Sequence, residues 1–248
     1  MCRPTNGALM ALRNKYIQYN DGKDALEGYL AWDDEINHPK PGVLLVHAWA
    51  GRDSFVCRQA DRIASLGYVS FALDLYGKGL IGKSKDENSR LMRPFIEDRS
   101  LLKRRLLLAL SVLKNQNQVN SNKIASVGYC FGGLASLDLA RHSVNLRGVV
   151  SLHGNLAPLD VTKNHKIDTK ILVLHGWKDP MVPLDDVLIF TQEMTRSHAD
   201  WQLQIFGNAM HAFTKPDADD IEHGMLYDEL SEKRSWNAMR IFLAEIFA

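Results

Sequence analysis

The chain has 248 residues, with 30 lysines and arginines against 29 aspartates and glutamates, a formal net charge of +1 and 46% hydrophobic residues. That balance excludes a fibrous, disordered or collagen-like protein. A net charge this close to zero supplies no long-range field to gather nucleic-acid phosphates or to hold the chain on an anionic membrane.

The length suits one α/β domain over residues 1–248, with residues 1–14 expected as a poorly packed extension. Two β-prone runs at 15–19 and 25–32 flank Asn20-Asp21-Gly22, a hairpin signal, so an antiparallel edge opens the sheet. From residue 42 onward, strand and helix patterns alternate, as βαβ units do when they build a mostly parallel sheet with helices on both faces. The run at 42–47 is almost continuously apolar, which places it centrally, buried on both sides. Asp53 is positioned to cap a helix whose Val56, Ala60, Ile63 and Ala64 share one face, and Gly67 to end it. A strand over 68–76 is followed by a glycine-rich stretch at 77–82, read as a flexible loop. A helix is then expected over 96–115, with Pro94 marking its beginning. Arg99, Lys103, Arg104 and Arg105 read as the wet face of that helix. Further strands are expected at 123–129, 147–152, 170–175 and 201–206, and a last helix runs to the C-terminus. The longest irregular connection is 155–168.

Three cysteines, Cys2, Cys57 and Cys130, lack the spacing of a disulfide framework or of a zinc site. The most apolar stretch, 101–113, is broken by three basic residues, and the N-terminus has no secretory core. These features imply a cytoplasmic protein with small-molecule partners, no nucleic acid, no membrane, and a monomeric or small homo-oligomeric state.

The chemistry concentrates at Gly128-Tyr129-Cys130-Phe131-Gly132-Gly133, where a buried strand turns sharply into a helix. This is a nucleophile elbow with cysteine in place of the usual serine. Side chains two residues before and after the nucleophile would collide, so both positions are glycine. The following helix directs its positive end at the sulfur and favours thiolate. A phosphate cradle would need the lysine and the serine or threonine that this loop lacks. With an elbow nucleophile, the acid follows in the chain and the histidine comes last. Asp179, in a turn beyond a buried strand, is the expected acid, while Asp185 and Asp186 read as helix-start residues. Of nine histidines, His198, His211 and His223 lie downstream, and His211 is the one in the loop after a strand. The amides of Phe131 and Trp49 are the expected oxyanion donors, and His47 is expected to be structural.

Together with Asp74-Leu75-Tyr76, Asp179-Pro180 and His211-Ala212-Phe213, the elbow resembles the dienelactone hydrolase family of α/β hydrolases over most of the chain. The resemblance implies the α/β-hydrolase fold, a Cys-Asp-His triad that opens lactones or esters, and no cofactor or metal. It departs from the family at Ala48, where a thiol-gating glutamate is typical. It departs again at Lys78 and Lys215, which stand where the family carries arginines that bind a substrate carboxylate. Lysine keeps the charge and loses the bidentate fork, so an anionic substrate is compatible. Two other readings remain: a broad carboxylesterase or thioesterase on the same fold, and a non-catalytic redox or ligand-binding protein that uses Cys130, with Cys57 as resolving thiol.

Overall fold

The computed structural model describes residues 12–35, 38–159 and 166–248. The sheet opens on a hairpin of β1 (Leu12–Asp21) and β2 (Asp24–Asp33), which pair antiparallel with Asp21 opposite Asp24. Gly22 turns the chain at φ +61°, a conformation that glycine adopts without a side-chain clash. The strand already begins at Leu12, so 12–14 belong to the sheet edge rather than to an extension; residues 1–11, including Cys2, lie outside the described residues.

Next come β3 (Lys40–Val46), β4 (Val69–Ala72), β5 (Val119–Tyr129), β6 (Gly148–Leu152), β7 (Lys170–Gly176) and β8 (Trp201–Phe206). The order across the sheet is β1-β2-β4-β3-β5-β6-β7-β8, with β4 to β8 parallel. This is the mostly parallel α/β-hydrolase arrangement with an antiparallel edge. As expected, β3 is central and shielded on both faces. Leu44 and Val46 enter the apolar layer formed with α3 (Arg99–Lys114), α4 (Phe131–Arg141) and α5 (Leu184–Arg196). Val43 and Leu45 enter the layer formed with α1 (Ser54–Ala64) and α6 (Glu229–Phe247). Asp53 caps α1 by accepting from the Val56 amide at 3.1 Å. No helix among the described residues is long and apolar enough to cross a membrane.

Four local expectations are corrected. The strand at 68–76 stops at Ala72, because the Asp74 carboxylate takes the amides of Glu27, Tyr76, Gly77 and Gly79 at 2.9–3.0 Å. The glycine-rich stretch is thereby held instead of free, and Gly82 donates to the Ala50 carbonyl at 2.9 Å. Asp74 is buried, so Asp74→Ala would orphan four amides. It is expected to lower stability by about 2 kcal/mol, read as a shift in urea midpoint at constant m.

The single helix expected over 96–115 is two helices, α2 (Lys85–Glu97) and α3, with Pro94 in the last turn of α2. Asp98 breaks them apart by turning extended and capping the Ser100 and Leu101 amides. The basic wet face is also only partly wet. Arg99 pairs with buried Asp138 at 2.7 Å, and Arg105, 5% exposed, lies between Asp21 and Asp24 of the hairpin. Sequence periodicity cannot reveal acids that arrive from another element. Of the long connection at 155–168, residues 160–165 lie outside the described residues; its start is held by the Arg141 guanidinium, which donates to the Leu156 and Ala157 carbonyls.

Candidate active site

Cys130 sits between the end of β5 and the first residue of α4, at φ 55° and ψ −118°. A positive φ at a non-glycine residue is strained, and it persists only where the surroundings over-determine it. Here they do, since the Cys130 amide donates to Leu152 of β6 at 3.0 Å and its carbonyl accepts from Gly133 at 2.9 Å. The turn lifts the sulfur over the carboxyl edge of the sheet, at the positive end of α4.

Asp179 follows β7 and His211 follows β8, so the sheet brings to one edge three residues far apart in sequence. Both are buried, at 4% and 3% exposure. The His211 Nδ1–H donates to Asp179 Oδ2 at 2.7 Å, while Asp179 Oδ1 accepts from the Met181 amide at 2.9 Å. The main chain of His211 is clamped by Gly224 and Leu226. Its Nε2 is buried without a partner of regular hydrogen-bond geometry, and the group facing it is the Cys130 sulfur.

Burial would push the Cys130 thiol up, but the positive His211, with the amides of Phe131 and Trp49 directed at the sulfur, outweighs it, so the thiol is lowered. Burial likewise opposes charge on His211, yet the sulfur and Asp179 raise it to about 10. The two shifts describe one thiolate–imidazolium pair. Asp185 and Asp186 lie in the first turn of α5, His198 follows its end, and His223 closes a short 3-10 turn, Ile221–His223.

The loop that carries Trp49 is positioned by two side chains. Buried His47 contacts the Ala48 carbonyl through Nδ1 at 2.7 Å and accepts the Leu75 amide on Nε2 at 3.3 Å, which identifies the neutral Nδ1–H tautomer. Tyr76 donates its hydroxyl to the Trp49 carbonyl at 2.9 Å.

The pair opens into a cavity of about 440 Å³ whose apolar walls include Ala48, Trp49, Phe55, Met92, Met181 and Met225. A cavity of about 510 Å³ at the amino ends of β6 and β7 has neither histidine nor cysteine among its described walls, so of these two the first combines space with a nucleophile and a base. Among the described residues no cluster of acidic, histidine and cysteine side chains is arranged to hold a metal. Lys215 lines the cavity beside Cys130 and His211, but Lys78 is exposed and does not.

Sequence reading missed His153, at the carboxyl end of β6. It is 2% exposed, its ring lies 5.3 Å from that of His211, and its Nε2 meets the Thr214 hydroxyl at 2.8 Å. Burial and the nearby positive His211 hold it well below the usual histidine range, hence neutral. Its place just after a parallel strand was the one available signal. The contributions of Asn88 and Met92 from α2 had no signal, because helix packing alone brings them to the cavity.

A profile of the dienelactone hydrolase family matches residues 26–247. The chain is 41% identical over 150 residues to an uncharacterised protein of Caenorhabditis elegans, covering 59% of this chain and 95% of that protein. It is 26% identical to the protein usf of Aquifex pyrophilus over 92% of this chain and 97% of that one. Among solved structures it is similar to a dienelactone hydrolase-like promiscuous phosphotriesterase from metagenomic libraries. The identity is 33% and the TM-score 0.91, with 96% of this chain and all of that chain covered. The profile covers nearly the whole α/β core together with the elbow, the Asp179 turn and the His211 loop, and the chain belongs to the dienelactone hydrolase family.

Proposed function

We propose that the protein hydrolyses carboxylic esters or lactones through Cys130, His211 and Asp179, by way of an acyl-enzyme. The observation that carries this reading is the buried Asp179–His211 contact of 2.7 Å, aimed at a sulfur on the elbow. The Cys130 thiolate attacks the carbonyl carbon, and negative charge develops on its oxygen beside the Phe131 and Trp49 amides. The C–O bond then breaks, and His211 gives its proton to the departing alcohol oxygen, which stays tethered in a lactone. His211, neutral once it has given up that proton, removes one from water, which attacks the thioester; the thiolate leaves and the imidazolium is restored. Asp179 holds the ring orientation and stabilises its charge. With Ala48 in the loop, no carboxylate there competes for the sulfur.

The redox reading has less support. Cys57 packs in the layer containing α1 and α6, whereas Cys130 packs against the opposite one. The Arg52 guanidinium contacts the Cys57 sulfur at 3.7 Å, and burial, outweighing that contact, raises its thiol.

The test is stopped-flow reaction with 4-nitrophenyl acetate. A burst of nitrophenolate equal to the enzyme concentration is expected, with the acetyl mass on the peptide containing Cys130. Absence of any Cys130-dependent burst or turnover, on this ester and on a simple lactone, would overturn the proposal.

A further inference from the structure

Resting on the hydrolase reading of the same cavity, we propose that the site favours neutral or cationic acyl substrates and discriminates against carboxylate-bearing ones, with Asp53, Asp217 and Asp219 as the determinants. This reverses the anionic preference compatible with Lys78 and Lys215 in the sequence.

The charges around the cavity decide it. Its walls carry four carboxylates, Asp53, Asp217, Asp219 and Asp220, against the single lysine Lys215. That lysine is already engaged, with Nζ 3.3 Å from Asp53 Oδ2 and 3.7 Å from Asp217 Oδ2. Asp53 cannot swing away to release it, because its other oxygen caps α1 through the Val56 amide. A substrate carboxylate would therefore meet a lysine whose charge is compensated by a fixed neighbour, and would add a negative charge to the two aspartates beside it.

No other lysine or arginine among the described residues lines the cavity. Lys78 lies outside the cavity. Arg52 is buried on Glu27, through its carbonyl and carboxylate, and on Cys57. Lys85 and His223 are both paired with Asp220, at 2.6 and 2.8 Å. At the reacting centre the His211 charge is matched by the Cys130 sulfur. Asp219 and one of the Asp53–Asp217 pair remain uncompensated beside an otherwise apolar cleft, whose low-dielectric walls concentrate their field on an entering ligand.

The test uses three 4-nitrophenyl esters of equal chain length: valerate (neutral), monoglutarate (anionic) and 4-(trimethylammonio)butyrate (cationic), each corrected with Cys130→Ala as background. At low ionic strength kcat/KM for the valerate and the ammonium ester is expected to exceed that for the glutarate by about tenfold or more. The gap should narrow in about 1 M NaCl, which screens exposed charges within a few ångströms. In Asp217→Asn/Asp219→Asn the glutarate-to-valerate ratio is expected to rise about fivefold. A glutarate rate equal to or above the valerate rate, or a ratio unmoved by the double variant, would overturn the inference. Absence of Cys130-dependent turnover on all three esters would instead remove the hydrolase reading. Charge selection is then read directly from alkylation of Cys130. An iodoacetate-to-iodoacetamide rate ratio that rises in the double variant supports the inference, and an unchanged ratio refutes it.

Discussion

Asp179→Asn is expected to lower kcat/KM on a neutral ester by about four orders of magnitude, and the reason lies in the acceptor count. Asp179 uses both oxygens as acceptors, one for the Met181 amide at 2.9 Å and one for His211 Nδ1–H at 2.7 Å. Asparagine has one acceptor oxygen and one NH₂. Either orientation sets an N–H against an N–H, so the variant loses the loop anchor or turns His211 to the tautomer with its proton facing the sulfur. The variant also lacks the negative charge that helps hold the His211 proton.

The consequence reaches Cys130 reactivity. In the wild type the thiol is lowered and His211 is raised to about 10, so the pair stays charged over the window that opens at the lowered thiol and closes as pH approaches about 10. Iodoacetamide alkylation should then be level with pH across this window. A free thiol, by contrast, gains about tenfold per pH unit until roughly 8.5. In Asp179→Asn, His211 gives up its proton at lower pH and no longer holds the sulfur ionised, so the rate near pH 7 should fall and the steep slope return. A level profile in the variant, or a wild-type rate no faster than that of glutathione, would refute the ion pair.

A second large effect is structural. Gly132→Ala would place its Cβ 2.1 Å from the Val46 carbonyl oxygen and 2.7 Å from that of His47, and these are backbone atoms that cannot rotate aside. Gly128→Ala meets the same obstacle, 1.9 Å from the Gly132 oxygen. Relief requires α4 to move off the end of β3, which also displaces the loop that presents the Trp49 amide. We expect Gly132→Ala to cost about 3 kcal/mol or more, a Tm fall of about 10 °C for a chain of this size, with loss of ester turnover. Gly207→Ala is the matched control, since nothing lies within 4 Å of its added methyl. A Gly132→Ala protein melting within two or three degrees of the control would show that helix and strand are not in close contact there.

These two predictions draw on information of different origin. The glycine at 128 is legible from sequence because the elbow is a local device, its added Cβ meeting the Gly132 oxygen four residues on, whereas the obstacle at Gly132 is the end of β3, which the motif signals but only the fold supplies. The alternation of apolar strand and helix patterns likewise announced the parallel sheet, and the Asn20-Asp21-Gly22 signal announced the hairpin. Asp179 and His211 were legible for a related reason, since parallel sheets gather the ends of their strands on one edge.

What sequence alone determined is therefore whatever depends on neighbours along the chain: the sheet order's general type, the elbow, the cap at Asp53, and the triad candidates in their order. Tertiary structure decided the rest, because it turns on groups that meet across long sequence separations. The Asp74 carboxylate ends β4 and ties down the glycine stretch. Asp21, Asp24 and Asp138 draw Arg99 and Arg105 away from solvent, and Asp98 divides one expected helix into two. Lys215 looked in sequence like a free cation for a substrate carboxylate, and Asp53, 162 residues away, sets its actual environment. Charge is a property of a residue, but its compensation is a property of the fold, since Coulomb energy depends on distance and burial that one-dimensional order does not record.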